Sequence, residues 1–225
     1  MLTERFDVVV VRAGPAGAAA AIAARRQGAE VLLLDRADFP RDKPCGDGIA
    51  AEAVDVLASI GVHGVTDGYP AIERLRLVAP GGAVVSRALP RAAHTIPRRP
   101  APVRGRLLLA GDALSLTNPF TGEGIFYAVL SGSLAGAAAA AGPGRVADRY
   151  RSALRHRLGR HFRHSGVAAW LTRRPWMVDA AVRAAARDAT VFHRMVELGL
   201  GDGVFDLRTI GRITARMGHR HPGAP

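Results

Sequence analysis

Phe6-Asp7-Val8-Val9-Val10-Val11-Arg12-Ala13-Gly14-Pro15-Ala16-Gly17-Ala18-Ala19-Ala20-Ala21 is the stretch that decides the fold. Four consecutive valines predict a fully buried β-strand, because a parallel strand covered on both faces shows a continuous apolar run. A tight Gly-containing turn follows, then an Ala-rich helix. This order opens a dinucleotide-binding βαβ unit, where backbone must approach a pyrophosphate and a helix N-terminus faces its charge. The usual glycine pattern is G-x-G-x-x-G; Gly14 and Gly17 fill its second and third places, and Arg12 stands in the first.

Working outward, the first helix is expected from about Pro15 to Gln27, with Gly28 stopping it. Glu30-Val31-Leu32-Leu33-Leu34 predicts a second buried strand, with Asp35 at its end. Asp35 lies 21 residues beyond Gly14 (35 − 14), near the ~20-residue spacing of an acid that accepts ribose hydroxyls. The plainer alternative is a charged residue that merely ends a strand. A shaped loop, Asp38-Phe39-Pro40-Arg41-Asp42-Lys43-Pro44-Cys45-Gly46-Asp47-Gly48, precedes a helix expected from about Ile49 to Ile60.

Glu73 to Val78 alternates polar and apolar, Pro80-Gly81-Gly82 turns, and Ala83-Val84-Val85 resumes, which predicts a hairpin. The Pro- and Arg-rich stretch 87–104 is a linker or covering loop. Arg106-Leu107-Leu108-Leu109-Ala110 predicts a third buried strand ending at Gly111-Asp112. The apolar stretch Gly124 to Ala141, interrupted by Tyr127, reads as a buried helix rather than a membrane span. Beyond it come basic helices; in the first, Val146, Tyr150, Leu154, Leu158 and Phe162 recur every fourth residue as one apolar stripe. Further helices are expected over 176–186, 191–198 and 207–217. The class is α/β: a small Rossmann-like βαβ core (1–142, hairpin at 72–86, linker 87–104), a C-terminal helical region (143–217) and a tail (218–225).

The 225 residues carry a net charge of +12, and since Lys43 is the only lysine, nearly all of it is arginine. Coding bias explains that excess as readily as attraction to an anionic surface does. For the basic stretch 145–164 a solvated helix face and peripheral membrane contact both stay open. Nucleic acid is disfavoured, since aromatics are only 5% and no binding motif interleaves with the arginines. His161 and His164 share a face, but Arg160 and Arg163 beside them repel a cation, so no metal site is expected. Ser115 lacks a nucleophile elbow. Cys45 is the single cysteine, so no intrachain disulfide forms, and with no signal-peptide pattern at the N-terminus a cytoplasmic setting is expected.

The Gly14/Gly17 turn, Asp35-Arg36, the loop F-P-R-D-K-P-C-G-D-G and the Gly111-Asp112 to Gly124 segment resemble the geranylgeranyl reductase family, a group of FAD enzymes built like the aromatic hydroxylases. Val196 to Gly203 resembles that family's C-terminal part. The likeness covers roughly 1–88 and 100–217. It implies that Ala13, Gly14, Ala16 and Gly17 face the FAD pyrophosphate. By the same likeness Asp35 and Arg36 meet the adenosine ribose, and Gly111 and Asp112 meet the ribityl and pyrophosphate region. Gly122, Gly124 and Ile125 would offer a helix start to the flavin pyrimidine edge, where reduced flavin holds charge. Arg41 and Cys45 would lie near the isoalloxazine, Cys45 being otherwise a packed loop thiol; no catalytic residue is assigned.

Two departures from the family pattern bear on activity. Arg12 replaces a glycine, and a non-glycine residue in a left-handed conformation costs about 1–2 kcal/mol. Only about Ser86 to Pro100 stands where the family places a large substrate domain, which leaves the reactive face of a flavin open to water and oxygen. The resemblance implies an FAD-dependent reductase of double bonds in an isoprenoid chain, lipid or quinone, with an external donor such as NADPH. The alternatives are a shortened non-catalytic relative with weak or no FAD binding, and a flavin monooxygenase or halogenase of the same fold. A second chain supplying the absent domain is one way to complete the site.

Overall fold

The valine run extends as β-branched residues favour and forms β1 (Val8–Val11), in a computed structural model that describes residues 4–39, 49–88, 107–205 and 208–209. Pro15 at the first helical turn opens α1 (Pro15–Arg25), an almost pure alanine helix. Past its end, Gly28 at φ +85° turns the chain so that the Ala29 N–H reaches back to the Ala24 carbonyl at 3.3 Å. β2 (Val31–Leu34) then pairs parallel with β1, Val8 opposite Val31 and Val11 opposite Leu34. This is the βαβ-type opening, and the architecture is α/β.

The strands are not buried on both faces as expected. Val9 is 55% exposed, Val11 72% and Leu34 45%, all on the face away from α1, and Leu33 on the other face is still 40% exposed. The third strand is likewise corrected. Among the described residues Leu107 makes one isolated bridge, and Leu108–Ala110 join no ladder. The reason is a competing partner: the Leu109 carbonyl accepts from the Tyr150 hydroxyl at 2.8 Å, while Leu108 packs with Ala135, Ala138 and Tyr150. The segment thus lies on helices and ends in a 3-10 turn, Gly111–Leu114.

α2 (Ala51–Ser59) and the long apolar α3 (Ile125–Ala140) complete the first core with α1 and the next helix. Ala19, Ala53, Phe126, Tyr127 and Leu130 are its buried members, joined by Leu158. α3 is buried on nearly all sides, in keeping with its uniformly apolar composition. It approaches α1 at contact distance because Gly132 and Gly136 have no side chains. A Cβ on either would stand 2.1 Å from the carbonyl oxygen of Ala16 or Ala20, respectively. No described helix is long and apolar enough to cross a membrane.

α4 (Val146–Leu171) carries the expected stripe inward, with Tyr150 and Leu158 buried and Leu154 and Phe162 half-buried. The hairpin forms as read: β3 (Arg74–Val78) pairs antiparallel with β4 (Val84–Ala88). It builds a second core with α5 (Pro175–Arg187) and α6 (Ala189–Leu200), centred on Val85, Val182, Ala185 and Phe192. Asp179 of α5 accepts from the Gly81 N–H in the hairpin turn at 3.0 Å, and Arg87 donates to the Ala185 and Ala186 carbonyls at the α5 C-terminus. The Asp188 side chain caps α6 through the Thr190 and Val191 amides. Of the helix expected over 207–217, all but 208–209 lies outside the described residues, as does the tail.

Candidate functional site

The parallel register brings the C-terminal ends of β1 and β2 side by side. There the Arg12 N–H donates to the Leu34 carbonyl at 2.6 Å, and the Ala13 N–H donates to Asp35 Oδ2 at 2.7 Å. Asp35 Oδ1 accepts from the Ala37 N–H at 3.0 Å. The acid is half-buried at the strand end, and a carboxylate is an acceptor that can take hydroxyl donors. Arg12 adopts φ +80°, the glycine conformation, with its side chain exposed. Gly17 cannot carry a side chain, since its Cβ would stand 1.8 Å from the Arg12 carbonyl oxygen. The turn therefore keeps the backbone path of a glycine-rich nucleotide loop despite the arginine. α1 has no side-chain cap, so its first-turn amides face outward at the positive helix end.

Gly111 brings Asp112 to the same place. At φ +55° it packs where a Cβ would be 3.1 Å from the Ala16 Cβ and 3.2 Å from that of Ala128, and its N–H donates to Ser131 Oγ at 2.8 Å. Asp35 meets the turn at Ala13, and the residue before Asp112 meets it at Ala16. Asp112 and Arg36 are exposed. Arg41 and Cys45 lie outside the described residues.

The contacts of Gly132 with Ala16 and of Gly136 with Ala20 show that α1 and α3 run in the same direction. α3 begins seven residues before Gly132 (132 − 125) and α1 one before Ala16 (16 − 15), so the α3 start lies six residues, about 9 Å, beyond that of α1 at 1.5 Å per residue. Two helix N-termini thus point one way with a stagger suited to an extended dinucleotide. Gly122, at φ +80° and buried, bends the chain into this start. One of the α3 donors is already taken, because Glu123 Oε1 accepts from the Phe126 N–H at 2.9 Å.

Sequence reading missed the polar cluster beneath that helix start. Glu123 is fully buried, its Oε2 has no partner among the described residues, and burial pushes its carboxyl up to about 7. Asn118 donates to the Tyr127 hydroxyl at 3.1 Å and to the Leu198 carbonyl at 2.6 Å. The Tyr127 hydroxyl meets His161 Nε2 at 2.6 Å and the Gly201 carbonyl at 2.8 Å, and His161 Nδ1 meets the Gly203 carbonyl at 2.7 Å. Burial lowers the His161 pKa, and since the Gly203 carbonyl needs a donor at Nδ1, the neutral ring accepts at Nε2 and competes with the Gly201 carbonyl for the single phenol proton. His164 Nδ1 accepts from the Phe205 N–H at 3.0 Å. Both histidines therefore hold the chain over 203–205. The one signal in the sequence was Tyr127, a phenol inside an otherwise apolar helix, which when buried needs a partner.

Residues 7–40 match the family model described as FAD dependent oxidoreductase. A menaquinone reductase of Mycobacterium tuberculosis is 58% identical over 59 residues, 26% of this chain and 14% of that protein. A menaquinone reductase of Mycolicibacterium smegmatis is 38% identical over 119 residues, 51% of this chain and 29% of that protein. Digeranylgeranylglycerophospholipid reductase 1 of Methanopyrus kandleri is 47% identical over 81 residues, 35% of this chain and 20% of that protein. No solved structure matches. Along residues 7–40 the chain thus has the opening of the FAD-dependent oxidoreductases, a family whose cofactor is FAD. Over the matched segments the chain is similar to members of the geranylgeranyl reductase family, and its matches span less than a third of these relatives' own length.

Proposed function

We propose that this chain binds FAD along the groove between the Gly14–Gly17 turn and the α3 start and serves in reducing double bonds of an isoprenoid chain, lipid or quinone. The observation that carries this reading is the joint placement of Asp35 at Ala13 and Gly111 at Ala16 around one glycine turn. FAD, when bound, supplies hydride transfer to a carbon–carbon double bond. In this reading the amides of Ala13, Gly14, Ala16 and Gly17 lie along the pyrophosphate, and Asp35 takes the ribose hydroxyls beside Arg36. Asp112 takes ribityl hydroxyls next to Gly111, and Gly122, Gly124 and Ile125 present the α3 start to the pyrimidine edge. An external donor such as NADPH, and a second chain contributing the substrate domain, complete the proposal.

A second reading is favoured by one specific observation. The exposed valines and leucines of β1 and β2 leave a parallel pair uncovered on one face, where such sheets are ordinarily covered on both. A shortened relative that binds FAD weakly and does not turn over would look the same. Anaerobic mixing of FAD-loaded protein with NADPH and a polyprenyl quinone separates the two. Loss of visible flavin absorption followed by a side chain heavier by two hydrogens supports the reductase. Bound FAD that neither bleaches nor yields product supports the non-catalytic relative.

A further inference from the structure

Arginines are abundant in this protein, but the stretch from Arg149 to Val178 is distinct: it holds eight of them and not one Asp or Glu. Within α4 much of that charge is already engaged by the protein itself. Arg151 pairs with Asp148 at 3.0 Å, and Arg157 pairs with Asp202 at 2.7 Å. Arg149 donates to the carbonyls of Ala138, Gly142 and Gly144. The others are not engaged in this way: no ion pair among the described residues involves Arg155, Arg160, Arg163, Arg173 or Arg174, all five are exposed, and the last three gather at the C-terminal end of α4.

The same end exposes large apolar side chains. Val167 is 57% exposed, Trp170 52% and Trp176 58%. Arg163, Val167 and Trp170 follow one another at helical spacing on the outer stripe of α4, while His161, Ser165 and Ala168 on its other side are buried. A short turn, 172–174, leads to Pro175 and Trp176 at the start of α5, and every residue from Thr172 to Trp176 is exposed. The Arg174 guanidinium sits 4.2 Å over the Trp170 ring, a cation–π contact that holds an indole out beside a positive charge.

We infer that this α4–α5 corner is a membrane-contact surface that seats Val167, Trp170 and Trp176 at the headgroup level of an anionic bilayer, with Arg163, Arg173 and Arg174 on the lipid phosphates. The charge is complementary to anionic lipid, and among the described residues no acidic side chain pairs with it. Indole is the side chain that partitions to the membrane–water boundary, since its ring is apolar and its N–H is polar. Nucleic acid is disfavoured, since aromatics are only 5% and no binding motif interleaves with the arginines. The surface shares Arg163 with the basic stretch 145–164 and otherwise lies beyond its C-terminal end.

Trp170 and Trp176 are the only two tryptophans in the chain, so intrinsic fluorescence reports on this corner alone. The full chain is titrated with vesicles of phosphatidylglycerol and phosphatidylcholine, and separately with phosphatidylcholine alone. The expected result is a blue-shifted emission with the anionic vesicles only, quenched by lipids brominated high in the acyl chain. Arg173→Gln and Arg174→Gln should each weaken the partition roughly fivefold. The Trp170→Ala, Trp176→Ala double variant, its fold checked by circular dichroism, should sediment with the vesicles roughly tenfold less. Sedimentation with unchanged tryptophan emission would place the contact elsewhere and overturn the inference, as would no association at all. An equal or larger shift with duplex DNA would overturn it in favour of nucleic acid.

Discussion

Gly17 sits directly over the Arg12 carbonyl, so close that a Cβ would stand 1.8 Å from that oxygen. The obstructing atom belongs to backbone and cannot swing aside. Gly17→Ala should therefore cost about 2–4 kcal/mol in urea unfolding, and Gly132→Ala, facing the Ala16 carbonyl at 2.1 Å, should cost a similar amount. A midpoint unchanged in either variant would refute the close approach of β1, α1 and α3.

Arg12 bears the opposite expectation. Its φ of +80° is strained for any side chain, and the strain belongs to the turn itself, fixed by the Arg12–Leu34 bond and the Gly17 contact. Arg12→Gly should stabilise the fold by about 1 kcal/mol, the relief of strain exceeding glycine's greater chain entropy. Arg12→Ala should not. Thermal unfolding of the two variants side by side checks this.

The local parts of this arrangement were legible in the residues. Val8–Val11, Gly14, Gly17 and Asp35 lie within one βαβ-type unit, and the Pro80-Gly81-Gly82 turn announces its hairpin locally, although Asp179 also holds Gly81. What could not be read depends on partners far along the chain. Leu107–Ala110 has the composition of a strand, but Tyr150, distant in sequence, takes the Leu109 carbonyl. Asn118 reaches Leu198 across 80 positions, a pairing that no periodicity encodes. The exposed faces of β1 and β2 likewise reflect what does not pack there, which a run of valines cannot announce.

The buried carboxyl of Glu123 gives a pH signature. Its folded pKa is about 7 against 4.5 when unfolded, so between those values the folded chain holds a proton the unfolded chain has lost. Stability from this group is full below pH 4.5 and falls as pH rises to about 7, by on the order of 3 kcal/mol. Glu123→Gln should abolish that loss. His161 works in the other direction, because its pKa is lowered from 6.5 and its contribution is lost as pH falls through 6.5. Denaturant midpoints from pH 4.5 to 8 for both forms test the sign.

Tyr127→Phe removes the hydroxyl shared by Asn118, His161 and the Gly201 carbonyl. Leaving those buried groups short of a partner should cost about 1–3 kcal/mol. It should also loosen the chain over 198–205, seen as faster amide hydrogen exchange there than in α1. Equal exchange in the variant and the parent would show that this network does not hold the segment.

The most direct test is an equilibrium titration of the chain with FAD, followed by quenching of flavin fluorescence, alongside Asp35→Asn. Saturable one-to-one binding that weakens about tenfold or more in the variant is the predicted result, since a neutral amide replaces the charged acceptor for the ribose hydroxyls. No saturable binding, or equal affinity in the two proteins, would contradict the assignment of the Gly14–Gly17 turn as an FAD cradle.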